Sequence, residues 1–79
     1  MDVEGMLVNA EKQAQVVIDQ MEREGNPVPE WAIEQKDQAA QVLRIFREGG
    51  KWRIALNRSI ALDEATKAER EAYFAKYPS

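Results

Sequence analysis

Two sets of side chains hold whatever chemistry this sequence can do. The first is a run of fifteen residues, RIFREGGKWRIALNR, from Arg44 to Arg58. It gathers Arg44, Arg47, Lys51, Arg53 and Arg58, five of the eleven basic residues, around Phe46 and Trp52, against the single acid Glu48. Cations interleaved with aromatic rings suit contact with phosphates plus stacking of bases. They suit equally an acidic protein surface gripped by a tryptophan anchor. The second set is carboxylate pairs, Glu30/Glu34 and Asp63/Glu64, which read as solvated helix faces rather than as acid–base pairs.

Catalysis has little to draw on. There is no histidine and no cysteine, so the common general base and the most nucleophilic side chain are both missing. The hydroxyls are confined to Ser59, Ser79 and Thr66, apart from the tyrosines. Gly49-Gly50-Lys51 shares only a fragment with a phosphate-binding loop and lacks the Ser or Thr that should follow the lysine. A tetrahedral zinc site draws on Cys and His and has no ligands here. The expectation is a protein that is not an enzyme and carries no metal or cofactor.

Composition narrows the class further. Seventy-nine residues make one small domain with a modest core, worth about 3–5 kcal/mol in chains of this size. No disulfide can reinforce it, and about a third of the apolar residues are alanine, which bury little area. A thin core in a short chain favours self-association, so a homodimer or higher oligomer is expected. The N-terminus carries acids where a signal peptide would carry bases, and no apolar run approaches a membrane span. Cytoplasmic localisation away from membranes is the corresponding expectation. The net charge of −3 is unevenly spread. Residues 1–26 carry −4, residues 27–48 carry −1, residues 49–63 carry +2, and the rest sum to zero.

The elements that must position these side chains read as helices. Val3, Leu7, Ala10, Ala14, Val17 and Met21 recur at steps of 4, 3, 4, 3 and 4, which keeps one apolar stripe on one helix face. That alternation is the pattern of a coiled-coil seam, and the six residues are assigned as an oligomer seam. Met6 and Ile18 widen the stripe, and Val16 falls nearly opposite. The spacing predicts a first helix over about 3–24, ended by Gly25. Gly5 weakens its first turn and Asn9 offers a competing cap, so its firm part is expected from about Val8.

Asn26-Pro27-Val28-Pro29 is a rigid corner, and Pro29 suits the first position of a second helix over about 29–48. That helix gathers Trp31, Ala32, Ala39, Val42, Leu43 and Phe46 on one face, with Ile45 at its margin. Ile33 and Ala40 lie off the stripe, as expected of a helix with more than one neighbour. Gly49 or Gly50 supplies its left-handed cap. The short Gly-Gly loop makes the second and third helices antiparallel neighbours.

The third segment, about 51–77, has two readings. Alternation of Trp52, Ile54 and Leu56 would build a hairpin across 52–62, turning at Asn57-Arg58 and giving an α+β fold. Against it, Asn-Arg lacks the glycine of tight hairpin turns, and the stretch is rich in Ala, Leu and Arg. Read as a helix, Ile54, Ala61, Ala65, Ala68 and Ala72 form a stripe of mostly small residues, while Trp52, Leu56, Ile60, Phe74 and Tyr77 share another face. Thr66-Lys67-Ala68-Glu69 has the form of a capping box, where the helix would restart. The expected fold is all-α, with three helices completed by oligomerisation.

Function follows only at the level of class. Arg44, Arg47, Lys51, Trp52, Arg53 and Arg58 are assigned as the partner-contacting set. A plainer account competes with it: Arg44 and Arg47 fall in a last helical turn, where the dipole favours cations, and Phe46 belongs to the apolar face. A helix-turn-helix reader would need a short basic second helix, and the helices flanking Gly49-Gly50 are too long for that. The leading expectation is a protein-protein interaction module, an inhibitor or adaptor of the kind small phage and mobile-element products supply. The alternative is a small regulator that holds nucleic acid on the basic-aromatic patch.

Overall fold

The computed structural model describes residues 2–78. Four helices follow one another: α1 (Val3–Arg23), α2 (Glu30–Arg47), α3 (Trp52–Ala65) and α4 (Lys67–Lys76). There is no strand among the described residues, so the hairpin reading of 52–62 is set aside. Helix-forming composition prevails there over the short alternation. Ile54 and Ile60, which the hairpin would have buried, lie about half exposed on the outer side of α3.

The expected third helix is broken once, which raises the number from three to four. The break falls at Thr66, but the capping box is not what makes it. Thr66 Oγ1 reaches back to the carbonyls of Leu62 (3.0 Å) and Asp63 (3.3 Å) instead of capping α4. Arg70 Nη1 donates to the same Asp63 carbonyl at 2.9 Å, taking the acceptor that an unbroken helix would offer to the Lys67 amide. Thr66 is the one buried polar residue among those described, and its hydroxyl is satisfied.

The first two helices end alike. At the end of α1, Gly25 (φ +74°) donates to the Glu22 carbonyl and Asn26 to that of Met21. At the end of α2, Gly49 (φ +76°) donates to Phe46 and Gly50 to Ile45. Both are Schellman caps, in which a glycine in the left-handed region satisfies carbonyls the helix leaves free. α1 is helical from Val3 despite Gly5, earlier than the firm start near Val8, and Met6 bonds back to the Asp2 carbonyl. Pro29 caps α2 from outside and does not occupy its first turn.

α2 is central and packs on both α1 and α3. Leu7 meets Val42 and Leu43, while Ile18 and Met21 meet Trp31 and Ala32, so α1 and α2 run antiparallel. The body is elongated, 40 × 24 × 21 Å, and its core is drawn out into two clusters. One is Leu7, Val42 and Leu43, with Phe46, Trp52, Ala55 and Leu56 against it. The other is Ile18, Met21, Trp31 and Ala32, with Val17, Val28 and Tyr73 against it. The order along both partners makes α2 and α3 antiparallel as well. α4 is held by aromatic edges: Trp31 lies 5.8 Å from Tyr73 and 6.0 Å from Phe74.

No helix is long and apolar enough to cross a membrane among the described residues.

Candidate functional site

The basic-aromatic run is bent into the tip of the α2–α3 hairpin. The Gly49 cap ends α2, and Gly50 passes so close that a Cβ on it would lie 2.9 Å from Ile45 Cγ2. Lys51 (φ −83°, ψ 65°) is the centre of an inverse γ-turn, with the Trp52 amide donating to the Gly50 carbonyl at 2.9 Å. This turn places Trp52 as the first residue of α3. The ring meets Phe46 edge-on at 5.6 Å and 78°, and Arg53 holds its guanidinium 5.4 Å from the indole centroid. The tryptophan is therefore half-buried and shared between the core and the tip. Lys51 and Arg53 are exposed beside it.

The six residues assigned from sequence do not share one surface. Lys51, Trp52 and Arg53 make the tip. Arg47 turns towards α1, where its Nε lies 3.6 Å from Glu4 Oε2. Both side chains of that pair are about half exposed, so it adds little stability. It is the one ion pair among the described residues. Arg44 lies on the outer face of α2 beside Asp37, Ala40 and Gln41. Arg58 lines an adjoining depression between α2 and α3 with Gln38, Gln41 and Ile45. Gln41 borders both, so Arg44 and Arg58 flank the same stretch of surface.

An acidic counterpart lies further back on that face. Glu30, Glu34 and Asp37 follow one another at helical spacing on α2, and α4 brings Glu69 to them. The Glu34 carboxyl is held above its ordinary pKa, first by desolvation and then by Glu30, Glu69 and Asp37. The Glu30/Glu34 pair was visible in the sequence as a solvated face. The fourth carboxylate was not, because only the break at Thr66 and the docking of α4 bring Glu69 there. Among the described residues no three of His, Cys, Asp or Glu converge as metal ligands would.

The α1 seam divides in the structure. Leu7 and Met21 are buried inside the chain, and Val3 and Val17 pack beside the two clusters. The middle is open. Ala10, Ala14 and Val17 face Ser59 and Asp63 of α3 across a groove of about 240 Å³ floored by Gln35 and Ala39 of α2. The small-residue stripe of the third segment is free along its length, since Ile54, Ala61, Ala65, Ala68 and Ala72 are all exposed. Compared with protein-family models, with curated proteins and with solved structures, the chain matches none of them.

Proposed function

We propose that the chain works by binding and not by catalysis, as a small interaction module of the inhibitor or adaptor kind that docks on a larger protein. The contacting part is the hairpin tip, and its complement is an acidic surface. One observation carries the reading. Lys51 and Arg53, exposed on either side of a fixed tryptophan, have no carboxylate within ion-pair distance among the described residues, in a chain with more acids than bases. Rigid aromatic area beside unpaired cations is what an interface anchor requires, because little ordering entropy is lost on binding.

The same tip is less suited to nucleic acid. Stacking needs a free ring face, and Arg53 already lies over the Trp52 ring, so a base would have to displace it or use the other face. The test is charge reversal at the tip. Lys51→Glu/Arg53→Glu should abolish retention of a protein partner from lysate, with helicity by circular dichroism unchanged. Oligonucleotide titrations at physiological salt should show no binding by the unaltered chain. Submicromolar oligonucleotide binding, weakening by a log–log slope of roughly −0.7 to −0.9 per phosphate contact as salt rises, would replace this reading with the nucleic-acid one.

A further inference from the structure

α1 and α3 both pack on α2 and scarcely on each other, so the three helices leave a gap along the middle of α1. The groove there, of about 240 Å³, has apolar walls and a single charge. Ala10, Ala14 and Val17 of α1 and Ala39 of α2 supply the walls, and Asp63 of α3 is the charge. No lysine or arginine lines it. Asp63 lies in the last turn of α3, where the helix dipole disfavours an acid. It is half-buried, and its carboxylate has no ion pair among the described residues. Arg70 donates to the Asp63 backbone carbonyl at 2.9 Å and to Thr66 Oγ1 at 3.3 Å, not to the carboxylate. The acid therefore opposes its own helix end and is offset by no contact within the chain. Ser59, one turn before it, and Gln35 on the floor are half-buried too. Their side chains have no hydrogen-bond partner among the described residues.

We propose that this groove binds a short primary alkylamine, with the ammonium on Asp63 and the stem along the alanines. An ammonium carries three N–H donors and no acceptor. The groove offers it the Asp63 carboxylate, the Ser59 hydroxyl and the Gln35 amide oxygen as acceptors. The charge is complementary, because the lining holds one acid and no base. An anionic ligand would meet only repulsion there. A metal ion would find too few ligands, since no three of His, Cys, Asp or Glu converge among the described residues. Size restricts the ligand further: small-molecule pockets commonly measure about 300–1,000 Å³, and this groove is smaller. A lysine side chain ends in the same ammonium, but its stem leads back to peptide groups that walls of methyl groups would leave without partners. A free alkylamine has no such cost, and it is the occupant the groove fits.

The site uses no residue of the hairpin tip, so neither reading depends on the other. The experiment is a titration of the full chain with n-hexylamine, followed by NMR. It reads the side-chain amides of Gln13 and Gln35 and the methyl groups of Ala10, Ala14 and Ala39, all lining the groove. Those signals should move together and saturate, and n-hexanol, of the same length without the charge, should move them less. Asp63→Asn should weaken binding roughly five- to tenfold, through loss of a charge-assisted contact. Glu71→Gln, which removes the same charge from an exposed position on α4, should leave it unchanged. Ala14→Leu should bar the amine by filling the groove without lowering Tm, which separates a blocked site from a damaged fold. Groove signals that stay still on addition of the amine overturn the proposal. Equal weakening by Asp63→Asn and Glu71→Gln also does, since the amine would then answer only to the net charge of −3. Equal binding of n-hexanol would make the groove an apolar slot, and tighter binding of Nα-acetyl-lysine methylamide would assign it to a lysine of a protein. Signals that shift with chain concentration alone would assign it to a second copy. Each of these three results overturns the proposal as well.

Discussion

The phenol of Tyr73 donates to the carbonyl of Pro27 at 2.9 Å, joining residues 46 positions apart. Pro27 lies in the rigid corner between α1 and α2, and Tyr73 is on α4, so one bond fastens the last helix to the first turn of the chain. Trp31, next along from that corner, meets the same tyrosine ring edge-on. The edge contact of Phe74 with Trp31 adds to this attachment of α4.

Tyr73→Phe keeps the ring contacts and removes the bond. The bond is exposed to water, so its loss should be small and should show as a modest fall in Tm by circular dichroism. Burial, then Tyr77 and Glu24, raise the Tyr73 pKa above its ordinary value of 10.0. The folded chain thus prefers the neutral phenol. Its contribution is complete below the unfolded pKa and is lost as pH rises through the folded one. The difference between the two proteins should vanish in strong alkali. An unchanged Tm at neutral pH would show that α4 is held by ring packing alone.

Glu34 gives the opposite pH dependence to an ion-paired carboxylate. Its folded pKa is raised, so the fold favours the protonated form, and the ionised form is a penalty present above that pKa and relieved below it. Glu34→Gln should raise Tm at neutral pH. The gain should disappear as pH falls below the unfolded value near 4.5. A substitution that lowers Tm at neutral pH would contradict the crowding of carboxylates on this face.

The paired glycines of the hairpin tip do different work. Gly49 has φ +76° and open space around its Cβ position, so Gly49→Ala costs the left-handed penalty of about 1–2 kcal/mol and Gly49→Asn costs less. Gly50 has an ordinary backbone, and its Cβ would meet Ile45 Cγ2 at 2.9 Å. Gly50→Ala is therefore a packing lesion. Ile45→Ala should rescue it in part and should do nothing for Gly49→Ala. Equal behaviour of both glycines in that cross, by denaturant melts, would remove the distinction.

The helices were legible because the sequence marks their ends: Gly25, the Pro27–Pro29 corner and Gly49-Gly50 each coincide with a boundary. The apolar spacing of α1 also picked out Leu7 and Met21, which the chain buries. What stayed hidden was tertiary. Thr66 was visible as a restart, but its means of breaking the helix depends on Arg70 reaching the Asp63 carbonyl, a contact seven residues long that no local rule contains. The basic run looked continuous along the sequence because its cations lie close in number. The direction each takes is set by neighbours: Arg47 by Glu4 of α1, Arg53 by the ring beside it, and Arg58 by the α2–α3 crossing, while Arg44 stays on the outer face of α2.

The open middle of the α1 seam makes the last prediction a gain. Ala14 faces a groove of about 240 Å³, and the alanines at 10, 14 and 39 fill little of it. Ala14→Leu adds a branched chain to a groove whose lining includes Ala39 and Val17, and should remove apolar surface from water there. Filling such space commonly adds roughly 0.5–2 kcal/mol. Leu7→Ala, at the closed end of the same stripe and 2 % exposed, should cost about 2–5 kcal/mol, close to the whole stability of so small a domain. Ala68→Leu, on the outward stripe of α4, is the control and should change stability by less than about 0.5 kcal/mol. Three urea melts in dilute solution order the positions. A stripe that packed uniformly along α1 would make Ala14→Leu destabilising through overpacking. A gain at Ala14 beside a severe loss at Leu7 requires a seam closed at its ends and open at its centre.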